Sequence, residues 1–448
     1  MKKILLISIV FITSNSFSQT IINRDPEIEK MVAEVSPDSL QSYINTLVSF
    51  GTRNTLSTQT NPKKGIGAAR NWVLKKFNEF EKKSAGRLAA IIDTTTIPAD
   101  GRRVDKPVLL GNVMATLKGA DPNDTRIFII SGHLDTRRSD VMDRTGYAPG
   151  ANDDGSGTAA VIECARIMSR HSFPATIIFV AVSGEEQGLL GSGFLAQKAK
   201  KENWNVQGVF NNDIVGSNNS NETNIINNTK VRVFSEGIPV FETEKAIGKI
   251  RALGLENDSK SRQLARYVKE IGERYVDNLN VVMIYRTDRF LRGGDHLPFL
   301  QNGFPAVRIT EMNENFTRQH QDIRTENGIQ YGDEIEHIDF EYLRKNTALN
   351  LANLANLSKA PFAPEEVKVD VKNLSNSTSL EWKQPAGKVK GYYVLMRETT
   401  SPVWQKKIFT TDNNINLPYS KDNYFFAVQS VSDSGNESLP VLPEIKRN

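Results

Sequence analysis

The chain has 448 residues, of which 39% are hydrophobic and 24% charged, and its formal net charge is +4. That length is enough for two or three domains with a large core, while so small a charge gives no argument for nucleic acid or an anionic membrane as partner. The one cysteine, Cys164, excludes an intramolecular disulfide framework and reads as a buried, inert thiol on the apolar side of a helix.

Residues 1–18 read as a secretory signal. Lys2-Lys3 is the positive region, Ile4 to Ile12 the apolar region, and Ser16-Phe17-Ser18 a small-x-small cleavage site before Gln19. That apolar run is too short to span a bilayer, and no later run is long enough. The mature protein is therefore expected to be exported, periplasmic or secreted, with no transmembrane segment. Residues 19–60 are polar, with a short helix expected over 37–48. Ile66, Ala69, Val73, Phe77 and Phe80 then recur at helical spacing.

From there apolar strands and amphipathic helices alternate. Strands are expected over 107–117, 126–131, 176–182, 206–211, 281–285 and 306–309. Helices are expected over 157–171, 189–200, 261–275 and 340–357. The run 176–182 is apolar almost throughout, as in a strand buried on both faces. Alternation of this kind predicts an α/β fold: a mainly parallel mixed sheet with helices on both faces. The Asn-rich stretch 217–230 reads as a surface loop.

Pro361 to Pro364 marks a boundary. Beyond it, short β-type runs at 367–371, 379–382, 391–397, 407–410 and 424–431 are separated by turn residues, which predicts an all-β sandwich. The expected organisation is a signal peptide over 1–18, a catalytic domain over 19–358, a linker over 359–364 and a sandwich over 365–448. Trp382, the Tyr392-Tyr393-Val394 run and the 424–438 ending resemble a fibronectin type III module, a class of domain that contacts protein or carbohydrate.

Five segments carry metal-binding vocabulary: His133-Leu134-Asp135, Asn152-Asp153-Asp154, Glu185-Glu186, Asn212-Asp213 and Asp295-His296. Each follows or lies close to an expected strand, and in such sheets the site lies beyond the carboxyl ends of the strands. Taken singly, a loop histidine is a surface residue, Asp154 a helix cap and an acidic pair a solvated face. In this order they read as ligands for two hard or borderline cations, with a cocatalytic zinc pair leading and manganese or cobalt as substitutes. His133, Asp153, Glu186, Asp213 and His296 supply the donors, with one carboxylate bridging. Asp135 is placed to accept a hydrogen bond from the other ring nitrogen of His133. Gly184 permits a turn that brings both Glu185 and Glu186 to one site. One of them can bind metal while the other takes a proton from a metal-bound water. His171 and His320 read as structural or exposed, with His320 near enough to Asp322 to support a ligand from behind.

The motifs SGHLDT, PGANDDGSGTAAVIE, SGEEQGLLGS, NNDIVG and GGDHLPFLQNGFPAV resemble the M28 family of zinc-dependent exopeptidases over about residues 40–358. The resemblance implies the zinc-exopeptidase fold, with His133 and Asp213 on one zinc, Glu186 and His296 on the other, Asp153 bridging and Glu185 as general base. Two positions depart from the pattern. Gly294 stands before Asp295-His296 where a serine is common, and Arg318-Gln319-His320-Gln321-Asp322 only loosely matches the usual Tyr-His-Thr. The expected activity is that of a secreted aminopeptidase acting on peptides. The rivals are a carboxypeptidase or another amide hydrolase, a one-zinc glutaminyl cyclase and a non-catalytic binding or adhesion protein.

Overall fold

The structure, a computed structural model, describes residues 22, 24–372 and 374–446. The expected signal over 1–18 lies outside the described residues. Two compact units emerge. One comprises Arg24–Ala360 with Ser434–Leu439, the other Pro361–Asp433 with the residues from Pro440 onward.

The larger unit is built on an eight-stranded mixed sheet. Its strands are β1 (Leu88–Ile97), β2 (Val108–Leu117), β3 (Arg126–His133), β4 (Thr176–Val182), β5 (Asn205–Asn212), β6 (Lys230–Phe234), β7 (Asn280–Ile284) and β8 (Ala306–Glu311). Their spatial order is β1-β2-β4-β3-β5-β8-β6-β7. The four central strands β4-β3-β5-β8 are mutually parallel. Strands β1, β2 and β6 introduce the antiparallel pairings towards the edges.

The central strands show why their sequences lack polar alternation. Phe128 and Ile130 of β3 join one hydrophobic cluster, which also takes Ile177, Phe179 and Ala181 of β4. The residues between them, Ile129, Ile178, Val180 and Val182, join a second cluster. Successive side chains point to opposite faces, so both faces of these strands are core. Helices Gly65–Glu81, Gly155–Met168, Lys260–Tyr275 and Phe340–Lys359 supply the first cluster, and Leu190–Lys201 with His296–Gln301 the second. Among the described residues no helix is long and apolar enough to cross a membrane. Cys164 is buried.

Several elements escape the sequence reading: the helix Pro26–Ala33, edge strand β1, strand β6, and helices Glu244–Ala252 and His296–Gln301. In strand β1 only Leu88 is buried, and Ala89, Ile91, Thr94 and Thr96 are exposed, so no apolar run marks it in the sequence. The short segment Ser434–Leu439 belongs to the larger unit although it follows the sandwich strands in sequence. There the buried Glu437 carboxylate meets Arg274 at 2.8 and 2.9 Å, and its carbonyl oxygen accepts from Tyr267 at 2.6 Å.

The smaller unit has two sheets. One orders Asn414–Leu417, Thr378–Lys383, Glu365–Val369 and Glu444–Ile445; the other orders Lys406–Thr410, Gly391–Glu398 and Tyr424–Val431. Val367, Leu380 and Trp382 from the first share a core with Tyr392, Val394 and Val428 from the second. The Trp382 and Tyr392 rings meet edge to face at 5.3 Å.

The loop that enters helix Gly155–Met168 is anchored by one fully buried cation. Arg53 donates to the carbonyl oxygens of Leu134 at 2.7 Å, Pro149 at 2.6 Å, Gly150 at 2.9 Å and Leu47 at 3.2 Å. Burial pulls its pKa down to about 10, with Asp333 and Asp154 opposing, so it remains charged at neutral pH. Arg53→Leu should leave these acceptors without donors and cost about 3 kcal/mol or more. Denaturant unfolding checks this, and an unchanged midpoint would refute the anchoring role.

Candidate metal centre

The ends of three neighbouring strands bring the site together. In the order β4-β3-β5, they are followed by Glu185-Glu186, end in His133 and are followed by Asp213. Strands lie about 4.8 Å apart in a sheet, so side chains leaving adjacent ends share a space only a few ångströms wide. Asp153 enters from the turn before helix Gly155–Met168. Gly157 in that helix lets it sit against β5: a Cβ there would lie 2.4 Å from the Asn212 carbonyl oxygen and 2.4 Å from Asp154.

Two ligand groups result, and they share a residue. His133, Asp153 and Asp213 place one ligand atom each within 4.8 Å of one another, and so do Asp153, Glu186 and His320. His133 Nε2 lies 3.1 Å from Asp153 Oδ1 and 3.9 Å from Asp213 Oδ1. His320 Nε2 lies 3.1 Å from Asp153 Oδ2 and 3.2 Å from Glu186 Oε1. Donors bound to one tetrahedral zinc at ordinary bond lengths lie about 3.3 Å apart, so this donor set fits. The two oxygens of Asp153 face different groups, as a bridging carboxylate requires.

Asp153 is held from behind. Asp333 accepts from the backbone N–H groups of Asn152 at 2.9 and 3.0 Å and of Asp153 at 2.7 Å. Asp154 caps the helix through Gly157 N–H at 2.9 Å and also accepts from the His133 N–H at 2.8 Å. On the ring of His133, Nδ1 lies 3.0 Å from the carbonyl oxygen of Asp135. A carbonyl can only accept, so Nδ1 carries the proton and Nε2 offers its lone pair to a metal.

This changes the role expected for Asp135. Its carboxylate lies 3.8 Å from the ring because it is engaged elsewhere. It accepts from the N–H groups of Gly184 at 2.9 Å, Glu185 at 3.2 Å and Glu186 at 3.1 Å, and from the Thr55 hydroxyl at 3.1 Å. Asp135 therefore shapes the turn that presents the two glutamates. Gly184 makes that turn with φ +78°. Glu186 goes to the second group, while Glu185 faces a cleft of about 730 Å³.

His296 requires a correction. Its ring is fully buried, with Nε2 2.8 Å from the Thr287 carbonyl oxygen and 3.6 Å from Asp288, and it joins neither group. Burial pushes its pKa down to about 4, with Asp288 opposing. The histidine at the second group is His320, expected from sequence to be structural, exposed or supporting. Burial there is outweighed by Glu186 and Asp153, which pull its pKa up to about 10. Its loop is pinned where Asp322 lies 3.0 Å from Arg138 Nε and accepts from the Ser139 N–H at 3.2 Å. The loose Tyr-His-Thr match was its only trace in the sequence. Asp295 is buried outside both groups, and His171 pairs with Glu27 at 3.0 Å.

The departure at Gly294 has a counterpart here. A Cβ at that position would lie 2.6 Å from Arg308 Nη1, and that nitrogen holds Asp213 Oδ2 at 2.8 Å. The absent side chain leaves room for a guanidinium that orients a ligand. Elsewhere the site is crowded with negative charge. Burial raises Glu185 well above its usual range, with Glu186 and Asp213 adding to it against His133. Asp154 is raised by burial in the same way. Such crowding is what divalent cations would relieve.

A family model described as Peptidase family M28 matches residues 112–354. The chain is 44% identical over 421 residues to a probable zinc metalloprotease of Leptosphaeria maculans, covering 94% of this chain and 97% of that one. It is 41% identical over 427 residues to another from Pyricularia oryzae, covering 94% and 84%. In fold it is similar to the LapA aminopeptidase of Legionella pneumophila, with a TM-score of 0.55 at 18% identity, covering 81% of each chain.

His320→Ala should lower the zinc content of the purified protein, whereas His296→Ala should leave it unchanged and lower thermal stability instead. Metal analysis with calorimetry decides, and the opposite pattern would restore His296 as the ligand.

Proposed function

Because the chain belongs to peptidase family M28 and is a zinc metallopeptidase, we propose that it is a cocatalytic two-zinc exopeptidase acting as an aminopeptidase. The observation that carries this reading is the sharing of Asp153 between the two ligand groups. His133, Asp153 and Asp213 would hold one ion; Asp153, Glu186 and His320 the other. Bound there, such ions polarise a scissile carbonyl and acidify a water molecule.

The remaining work falls to the chain. Glu185 sits beside the ligands, on the cleft, with its carboxylate outside both groups. It takes a proton from the attacking water and returns it to the leaving amine. Crowding by neighbouring acids raises its proton affinity, and bound cations would bring it back towards ionisation. Asp135 holds the turn that aims it, and Arg308 and Asp333 hold Asp213 and Asp153 in place.

A second reading, a carboxypeptidase, is favoured by one observation. Arg103, Arg137, Arg289 and Arg292 line the cleft, and a guanidinium pairs with a terminal carboxylate rather than a terminal amine. Peptides blocked at the amino end should resist an aminopeptidase, and peptides amidated at the carboxyl end should resist a carboxypeptidase. Hydrolysis of neither set by zinc-loaded protein would end both readings.

Glu185→Gln should retain its zinc and lose about a hundred-fold to ten-thousand-fold in kcat. Metal analysis alongside steady-state kinetics reads both quantities, and wild-type turnover would remove Glu185 from the base role.

A further inference from the structure

The cleft over the metal centre carries more positive charge than hydrolysis needs. Its acidic lining residues are Asp153, Glu185, Glu186 and Asp213. Three of these belong to the ligand groups, and the fourth is the proposed base. Among the described lining residues, no carboxylate is left over to hold a substrate's ammonium group.

Arg103 and Arg137, by contrast, are held in place without being neutralised. Arg103 donates from Nη1 to the Glu186 carbonyl oxygen at 2.5 Å, which sets its guanidinium beside the second ligand group. Arg137 donates to the carbonyl oxygens of Arg138 at 2.9 Å and Ser139 at 2.8 Å. Carbonyl acceptors orient a guanidinium and leave its full charge. Arg289 and Arg292 reach one carboxylate, that of Glu314, at 3.1 and 3.3 Å. Glu314 also pairs with Arg232 at 2.6 Å. Asp288 meets Arg289 at 3.2 Å but lies 3.5 Å from Arg308 as well. With Asp213, which holds Arg308 at 2.8 Å, three carboxylates thus face four guanidiniums. Two divalent cations would balance the four acids of the lining and leave the arginine surplus in place.

We propose that this cleft selects peptides carrying a carboxylate beside the scissile bond, recognised by the wall of Arg103, Arg137 and Arg292. The inference rests on the peptidase reading and adds its substrate class. A guanidinium fork suits a carboxylate better than any other peptide group. Two sources supply that chemistry: an aspartate or glutamate side chain, or the free carboxyl end of the substrate.

The test uses full-length, zinc-loaded protein and three matched short peptides. The first has glutamate beside the cleaved bond and an amidated end, the second glutamine with the same end, and the third glutamine with a free carboxyl end. At least one carboxylate peptide should exceed the neutral one in kcat/KM by about tenfold, the effect of one well-made charged hydrogen bond. Preference for the first assigns the wall to an acidic side chain, and preference for the third to the chain end. The advantage should shrink with added salt and fall towards unity in the Arg103→Gln, Arg292→Gln double variant, whose replaced residues are both exposed. Equal rates on all three peptides, or an unchanged ratio in the double variant, overturn the inference and leave the peptidase reading standing. If no peptide is cleaved, the peptidase reading falls. Calorimetric binding of glutarate against glutaramide, in the wild type and the double variant, then decides for or against the arginine wall.

Discussion

A single carboxylate between two imidazoles organises this protein. Asp153 presents Oδ1 to His133 and Oδ2 to His320, each at 3.1 Å, and both ligand groups depend on it. Such a residue cannot be left to side-chain freedom. Asp333 holds its backbone N–H, and Arg53 grips the carbonyl oxygens of Pro149 and Gly150 just upstream. The cost of burying these charges is offset because each meets partners of opposite charge or polarity.

The electrostatics follow from that arrangement. Burial alone would push Asp153 up, yet the two imidazoles against it, those of His133 and His320, hold it well below the usual carboxylate range. Asp154 and Glu185, nearby but without an imidazole against them, go the other way. The protein has concentrated acids on the floor of one cleft, and bound cations would relieve their mutual repulsion. Around this acidic floor stand the arginines, so two regions of opposite sign share one cleft.

His296 and His320 show how little a local sequence says about a histidine. His296 follows an aspartate and opens a short apolar helix, which reads as a ligand. In the fold it turns inward to a carbonyl oxygen. His320 lies in a polar stretch with φ +55°, which reads as a loop, and its loop returns over the site. Ligand identity depends on where a loop ends in space, and loops carry no periodic signal.

The central strands, the helices packed on them and the sandwich could all be read from the chain, since burial on one face or two leaves its period in the residues. Edge strand β1 could not, because Leu88 alone of it is buried and no apolar period results. At the site, His133, Asp153, Glu185, Glu186 and Asp213 were visible because each lies next to a strand end or a glycine-bearing turn. The supporting residues Arg53, Arg308 and Asp333 were not, for the site groups they hold, at Leu134, Asp213 and Asp153, lie some eighty residues away or more. Folding alone chose His320 over His296 and set the Asp135 carboxylate on the glutamate turn instead of the His133 ring. Sequence neighbours constrain the direction in which a backbone runs, whereas the meeting of two loops is settled by the packing of everything between them.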